Sequence, residues 1–389
     1  MDNSVEATTQ ISTAGYAVEM SLEERFAIMR SIGLGSTDEE EELRLLLEKK
    51  VAPICYVWCD PSPSIHIAQG IMMVLNVNKM VKAGCRVKIL MADWFAHIHN
   101  RFGGDMNDIR TIGCYMIEVW KAAGLELNRV EFMWLSDEIN RRSHEYWTLV
   151  MDVARNNTLG RMIRCWDKTF EYALTCAAVL LPKADIWLLS MDHDEDLEEV
   201  RELTREYYKD MKGENRPIIL SHNKLPNLIE DHEFGNIGDP AWTIFMEDGE
   251  QNLSDDHTGT PGYPRITLDS PGALTTTRIL GCYSVKVRKA FCPAKVAQGN
   301  PCLEDIRHIV FPWFGYCEVP RKEENGGGSR TFHKMEELIT DYESGAPHSA
   351  EVKRALEEAL KKIMKTVRDH FAGNSKAKHL AKAMEEYMI

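Results

Sequence analysis

Residues 53–70 read PICYVWCDPSPSIHIAQG, and this stretch decides the fold. Pro53–Val57 is a short apolar, β-branched run, the pattern of a buried strand. A Pro/Ser turn follows, and His66-Ile67-Ala68-Gln69-Gly70 then opens a helix. Strand, tight turn and a helix N-terminus carrying a histidine form one kind of receptacle for a phosphate chain, because the first N–H groups of a helix have no partner inside it. Such a turn needs small residues for close backbone approach. Trp58, Cys59 and Pro63 stand there instead, so the stretch reads as an ATP entrance that has been blocked.

Outward from this element, strand and helix alternate. Arg86–Met91, Val130–Leu135 and Pro217–Leu220 are further candidate strands, and His66–Ala83, Asp108–Ala123, Asp137–Asn156, Thr169–Leu181 and Asp194–Met211 are candidate helices. Long helices between strands predict a parallel sheet covered on both faces, an α/β, Rossmann-like doubly wound domain. Two helices precede it, Ser21–Gly33 and Thr37–Lys50, the second opened by a capping box of Thr37 and Glu40. Together these fill residues 21–248. Residues 249–278 are rich in Gly, Pro, Ser, Thr and Asp and read as a loop or insertion. Residues 279–389 turn helical, with Leu303–Val310, Thr331–Asp341, Ser349–Ala372 and Ala377–Met388 as helices of a second domain. Residues 1–20 lack the basic and apolar regions of a secretory signal and are expected to be a mobile tail.

Composition narrows the function classes. No apolar run reaches the roughly 18 residues of a membrane span, so no membrane partner is expected. A net charge of −14 argues against general nucleic-acid binding by the surface, and DNA is not an expected partner; RNA would need a local basic face. The 10 cysteines are spread widely with no CxxC pair, which predicts a reduced, cytoplasmic protein without a metal site.

Long strings of the chain resemble one family. SLEERFAIMRSIG (21–33), HIAQG (66–70), NVNKMVKAGCRVKILMADWFA (76–96), DEINRRSHEYW (137–147), RPIILSHNKLPNL (216–228), IFMED (244–248), KAFCP (289–293), GNPCLEDIRHIVFPWF (299–314), DYESG (341–345) and TVRDHF (366–371) are similar to eukaryotic tyrosyl-tRNA synthetase, the plant form above all. The resemblance covers about residues 20–389. It implies a class I catalytic domain, a helical anticodon-binding domain, tRNA as partner and a homodimer.

The departures from that pattern steer the functional expectation. His66-Ile67-Ala68-Gln69 matches the first ATP signature of the family. The second, KMSKS, is expected just before Asp239-Pro240, where Phe234 and Ile237 take the two lysine positions. A transferring phosphoryl group needs positioned cations, each worth about 3–4 kcal/mol if comparable with one electrostatic donor. The tyrosine-binding helix has Glu171, Thr175 and Ala178 where the family has Tyr, Gln and Asp, and Leu188 where it has a further Gln. Trp58 replaces a glycine under the adenylate, and an indole fills about 200 Å² or more of contact surface. No cofactor is therefore expected, with the ATP site lost.

Three functional readings follow. The first is an ATP-independent acyltransferase that takes aminoacyl groups from charged tRNA and forms a (cyclo)dipeptide, as cyclodipeptide synthases do. Ser64 or Ser62 would accept the acyl group, with Glu171, Tyr56 and His66 assisting. Asp192, Asp194, Trp58, Thr175, Ala178 and Asp93 would line a pocket for a cationic, arginyl substrate. The second is a non-catalytic paralogue that binds tRNA or a partner synthetase. The third is a working tyrosyl-tRNA synthetase with divergent motifs. Plainer roles stand beside these. Trp58 can be a core residue, Ser62 and Ser64 turn residues, and His66 a helix cap. DHDEDLEE at 192–199 can be a solvated helix start. Lys353, Arg354, Lys361 and Arg368 form either a solvated helix face or an RNA-backbone contact.

Overall fold

A computed structural model describes residues 20–33, 37–156, 169–189, 216–223, 225–228, 243–248, 282–321, 327–345 and 347–387. A parallel five-stranded sheet organises them. Its strands are β1 Ile54–Cys59, β2 Arg86–Met91, β3 Val130–Trp134, β4 Ile186–Leu189 and β5 Ile218–Ser221, in the spatial order β3-β2-β1-β4-β5. The doubly wound α/β expectation holds. β4 has no counterpart among the expected strands. Its four residues, IWLL, are all buried, and a short central strand covered on both faces shows no polar alternation.

Helices α1 Leu22–Arg30 and α2 Thr37–Lys49 precede the sheet. Then come α3 Met73–Lys82, α4 Asp93–Ile98, α5 Met106–Ala122, α6 Leu135–Arg141, α7 Ser143–Asn156 and α8 Thr169–Leu180. The single helix expected over 137–156 is two, because Arg142 leaves helical geometry at φ −122° and ψ 34°. α1 starts on a capping box between Ser21 and Glu24. It is fixed by the buried Arg25 guanidinium, which donates to the carbonyls of Ala83, Leu47, Lys50 and Val51 at 2.8–3.1 Å.

Strand pleating sorts the core into two layers. Cys55, Val57 and Cys59 join Ile65, Ile67, Val74, Val77, Ile112 and Met116 on the side of α3 and α5. Tyr56 and Trp58 join Phe95, Tyr146, Val150, Trp187 and the buried run of α8 on the other side. Each fully buried aliphatic residue contributes about 1.5–3 kcal/mol to this packing.

After residue 282 come α9 Tyr283–Lys289 and α10 Pro301–Asp305, the latter running through a π-helical turn into α11 Phe311–Phe314. A hairpin of β6 Cys317–Pro320 and β7 Ser329–Phe332 follows, then α12 Met335–Ser344, α13 Ser349–Gly373 and α14 Ser375–Tyr387. The helix expected over 331–341 starts later, since Thr331 and Phe332 belong to β7 and the Phe332 ring is buried beneath Arg330. The larger buried cluster runs from α1 to α14. Against α5, Tyr115 meets Phe371 with ring centroids 5.6 Å apart, and the Tyr387 hydroxyl donates to Asp108 at 2.7 Å.

Candidate functional site

The strand order switches direction between β1 and β4, and in open parallel sheets the crevice at such a point, beyond the strand C-termini, receives ligands. The Cys59–Gly70 segment leaves β1 there. Its turn is secured to α5: the Ser62 N–H donates to the Met116 sulfur at 3.2 Å, and the Ser62 hydroxyl donates to the Ser64 carbonyl at 2.7 Å. Ser62 thus closes the turn, and Ser64 is half-buried beside it.

The helix start is stitched to residues 243–248. Ile67 N–H donates to Ile244 O and Met246 N–H to Ile65 O, both at 2.8 Å, so that His66 and Phe245 form an antiparallel bridge. Gly70 lets this segment pack closely, since a Cβ there would lie 2.6 Å from the Met246 Cγ and sulfur and would displace that side chain. Glu247 accepts from the Ile65 N–H at 3.3 Å and the Tyr115 hydroxyl at 3.2 Å. Buried Lys286 of α9 donates to Asp248 at 2.7 Å and to the Thr243 carbonyl at 2.8 Å. The Gln69 N–H donates to His66 Nδ1 at 3.3 Å, so in the neutral ring the proton belongs on Nε2. The helix itself opens with a π-helical turn, Ala68–Met72, a form that recurs at functional sites.

Between these pieces lies a cleft of ≈ 330 Å³, open mouth included. His66–Ala68, the 225–228 segment, Thr243, Ile244 and Asp305 line it. Asp305, at the end of α10, is 3 % exposed, and burial, with Glu304 nearby, pushes its carboxyl up to about 8. Nothing in the sequence marks Asp305 or Glu247 except that both sit in family strings, IFMED and GNPCLEDIRH.

The other expected residues are divided between places. On the α8 side, the Trp58 ring lies 5.4 Å from Phe95 and 6.3 Å from Trp187, and its indole N–H donates to Asp60 at 3.4 Å. Tyr56 sits deeper in the same layer, 5.1 Å from Trp187. Burial raises its hydroxyl pKa while the Lys88 ammonium opposes this. Thr175 and Ala178 are buried on α8, and Leu188 is buried in β4. The structure therefore does not bring Tyr56 and Trp58 to the same side as Ser62 and Met116.

Asp93 is fully buried with both oxygens engaged. It accepts from the N–H groups of Trp94 and Ser136, the Ser136 hydroxyl and the Arg110 guanidinium. On α13, Arg354, Lys361 and Arg368 are exposed, whereas Lys353 is half-buried and donates to the Arg288 carbonyl at 2.9 Å. The Glu171 side chain, Asp192, Asp194, Phe234 and Ile237 lie outside the described residues. Among those described, no group of three His, Cys, Asp or Glu side chains could hold a metal ion, and no helix is long and apolar enough to cross a membrane.

A parallel sheet in this order, a histidine-bearing helix start at the switch point and a helical body packed on α5 define a class I aminoacyl-tRNA synthetase scaffold. Residues 48–235 match the family model for tRNA synthetases class I (W and Y). The chain belongs to the tyrosyl-tRNA synthetase family. It is 43 % identical over 398 residues to tyrosine–tRNA ligase 1, cytoplasmic, of Arabidopsis thaliana, covering 98 % of this chain and 94 % of that one. It is 40 % identical over 401 residues to tyrosine–tRNA ligase 2, cytoplasmic, of the same plant, covering 99 % of this chain but 49 % of the relative. The structure of Leishmania major tyrosyl-tRNA synthetase in complex with fisetin superposes with a TM-score of 0.78 at 31 % identity, covering 95 % of this chain and 57 % of that chain. This chain thus spans about half the length of the last two.

These relatives correct one expectation. The absence of a cofactor and the loss of the ATP site do not stand, because the similar proteins are tyrosine–tRNA ligases, which use ATP. The geometry supplies a physical reason. Pleating turns Trp58 onto the α8 layer, and the cleft beside His66 is not lined by it. The synthetase scaffold is shared, while dipeptide formation finds no support among the relatives.

Proposed function

We propose that the chain is an active, cytoplasmic tyrosyl-tRNA synthetase. The observation that carries this reading is its likeness, over nearly the full length of both chains, to a plant tyrosine–tRNA ligase. In this reaction the tyrosine carboxylate attacks the α-phosphorus of ATP, pyrophosphate leaves, and the tyrosyl group then passes to a ribose hydroxyl of tRNA.

The residues suit that chemistry in separate ways. His66, with Nδ1 accepting from Gln69, presents the Nε2-protonated ring, the form that donates to a phosphate oxygen. The helix start beside it favours anionic groups. The 243–248 segment, clamped by Lys286 and by backbone pairing to 65–67, holds that histidine in place. The layer holding Tyr56 and Thr175 would take the amino acid. Exposed cations of α13 would meet the tRNA backbone. The chain would act as a homodimer, consistent with Trp147 and Met151 of α7, 44 % and 68 % exposed and one turn apart.

The test is tyrosine-dependent ATP–pyrophosphate exchange, followed by charging of tRNA with tyrosine. His66→Ala is expected to lower kcat for exchange by about 10²–10³-fold. Folded protein that gives no tyrosine-dependent exchange at saturating ATP would overturn the reading.

A further inference from the structure

We propose that Tyr115 is a positioning residue: its hydroxyl and the Glu247 carboxylate together set the His66 helix start, and Phe371 of α13 holds the Tyr115 ring in place for that task. Helix α5 supplies no residue to the lining of the cleft. It instead meets the Cys59–Gly70 segment at three successive points. Met116 accepts from the Ser62 N–H at 3.2 Å, Tyr115 reaches Ile65 by way of Glu247, and the Trp120 indole N–H donates to the Gln69 carbonyl at 2.9 Å. The middle contact is the one next to the histidine. Glu247 Oε1 accepts from both the Tyr115 hydroxyl, at 3.2 Å, and the Ile65 N–H, at 3.3 Å. The Ile65 carbonyl accepts from the Met246 N–H at 2.8 Å, so both polar groups of this buried residue are held by the 243–248 segment.

The same helix is gripped by the C-terminal helices. Tyr387 of α14 donates to Asp108 at 2.7 Å, the Phe371 ring of α13 lies 5.6 Å from Tyr115 at an angle of 57°, and His370 Nε2 lies 3.3 Å from Glu118. Asp108, Tyr115 and Glu118 are seven and three residues apart, a spacing that places them along one face of α5. Of these three, Tyr115 carries its contact onward to the cleft segment, since its ring packs on α13 while its hydroxyl reaches Glu247.

A carboxylate with two donors on one oxygen has little freedom to turn, and hydrogen bonds to a charged acceptor are stronger than neutral ones. The buried Tyr115 ring restricts where its hydroxyl can sit. Removing that hydroxyl leaves Glu247 free to swing from Ile65, and the residue that follows Ile65 is His66. A displacement well under the size of a side chain is enough to spoil alignment at a reacting phosphate. The loss falls on the transition state, where the histidine meets developing charge, more than on ground-state binding of tyrosine or ATP.

The test has two readouts. The first is hydrogen–deuterium exchange of the full chain, read on peptides covering 62–70 and, as an internal control, 86–91. Tyr115→Phe and Glu247→Ala are each expected to speed amide exchange over 62–70 about tenfold, the effect of one lost hydrogen bond to a charged group, with 86–91 unchanged. Glu247→Gln keeps an acceptor oxygen and should restore most of the protection. Phe371→Leu, which loosens the Tyr115 ring, should move exchange over 62–70 in the same direction. The second readout rests on the synthetase reading. In tyrosine-dependent pyrophosphate exchange, Tyr115→Phe is expected to lower kcat about tenfold and to leave the KM for ATP and for tyrosine within a factor of about two. Adding Tyr115→Phe to Glu247→Ala should lower kcat no further, because both act through one bond. Unchanged amide exchange over 62–70 in Tyr115→Phe or Phe371→Leu, or faster exchange spread through the whole chain, overturns the proposal. Fully additive kcat losses overturn it as well. An unaltered chain without pyrophosphate exchange counts against the synthetase reading alone, and the amide readout then decides the role of Tyr115 by itself.

Discussion

The Asp93 carboxylate accepts two hydrogen bonds from one residue, Ser136, from its backbone N–H at 2.9 Å and from its hydroxyl at 2.5 Å. This pair joins the C-terminal end of β2 to that of β3, and Arg110 closes it by bonding Asp93, Ser136 and Asp137 while its guanidinium lies over the Trp134 ring. An aspartate with every oxygen engaged inside the fold positions the strand ends. Asp93→Ala leaves four donors without their acceptor, the two from Ser136 fully buried, and is expected to cost about 3–5 kcal/mol in denaturant unfolding. Unchanged stability with a selective rise in the KM for tyrosine would instead make Asp93 a substrate ligand.

Trp58 offers a second check, because its ring packs on Phe95 and Trp187. Trp58→Ala should lower stability by about 3 kcal/mol through the cavity it leaves. The KM for ATP in pyrophosphate exchange should stay within a factor of about two, since the expected loss falls on packing. A tighter ATP KM in this variant would restore the idea of a blocked entrance.

Asp305 sets a pH dependence. Its folded pKa is about 8 against an ordinary 3.8, so the folded state keeps a proton that the unfolded chain releases. That contribution is complete below the unfolded value and declines as pH rises through the folded one. Asp305→Asn is expected to be more stable than the unaltered chain at pH 7, with the difference in Tm growing towards pH 8. A difference that shrinks over this range contradicts the assignment.

His222 acts in the opposite sense. Its Nδ1 lies 2.9 Å from the Asn76 amide, and burial, with Lys79 nearby, lowers its pKa from 6.5 to about 4. The neutral ring is the folded form, so its contribution is present above 6.5 and is lost as pH falls through 4. Replacing His222 with Gln should flatten the acid side of the Tm profile relative to the unaltered chain.

The cations of α13 separate into two kinds. Arg354→Ala is expected to weaken tRNA binding and reduce its salt slope by about one if the side chain meets a phosphate. Lys353→Ala removes a bond to the Arg288 carbonyl and should lower Tm with little change in the salt slope. Filter-binding titrations across a salt series, paired with thermal melts, distinguish the two. Equal salt slopes for Arg354→Ala and the unaltered chain would remove α13 from the RNA interface.

Much of the fold was legible in the residues themselves. β1, β2 and β3 carry apolar runs bounded by turns, and the His66 helix start follows from its neighbours. β4 was hidden because four apolar residues show no period that distinguishes strand from helix. The β6–β7 hairpin was hidden because Thr331 and Phe332 adjoin a helix start and pair with Glu318 and Cys317, 13 and 15 positions earlier. The candidate site was only half legible. His66, Ser62 and Ser64 were visible as a motif, but their partners were not.

The sequence by itself determined the alternation that makes a doubly wound sheet, the family strings and the pleat that sets Tyr56 and Trp58 on one layer. Only the tertiary structure decided which helix covers that layer, and with it that Trp58 packs on Phe95 and Trp187, away from the cleft. It also brought Glu247 to the Ile65 N–H across 182 positions and seated Asp305 beside His66. The physical reason is one of range. Pattern and propensity act over a few residues, whereas burial and hydrogen-bond satisfaction are settled between segments that meet only once the sheet is packed.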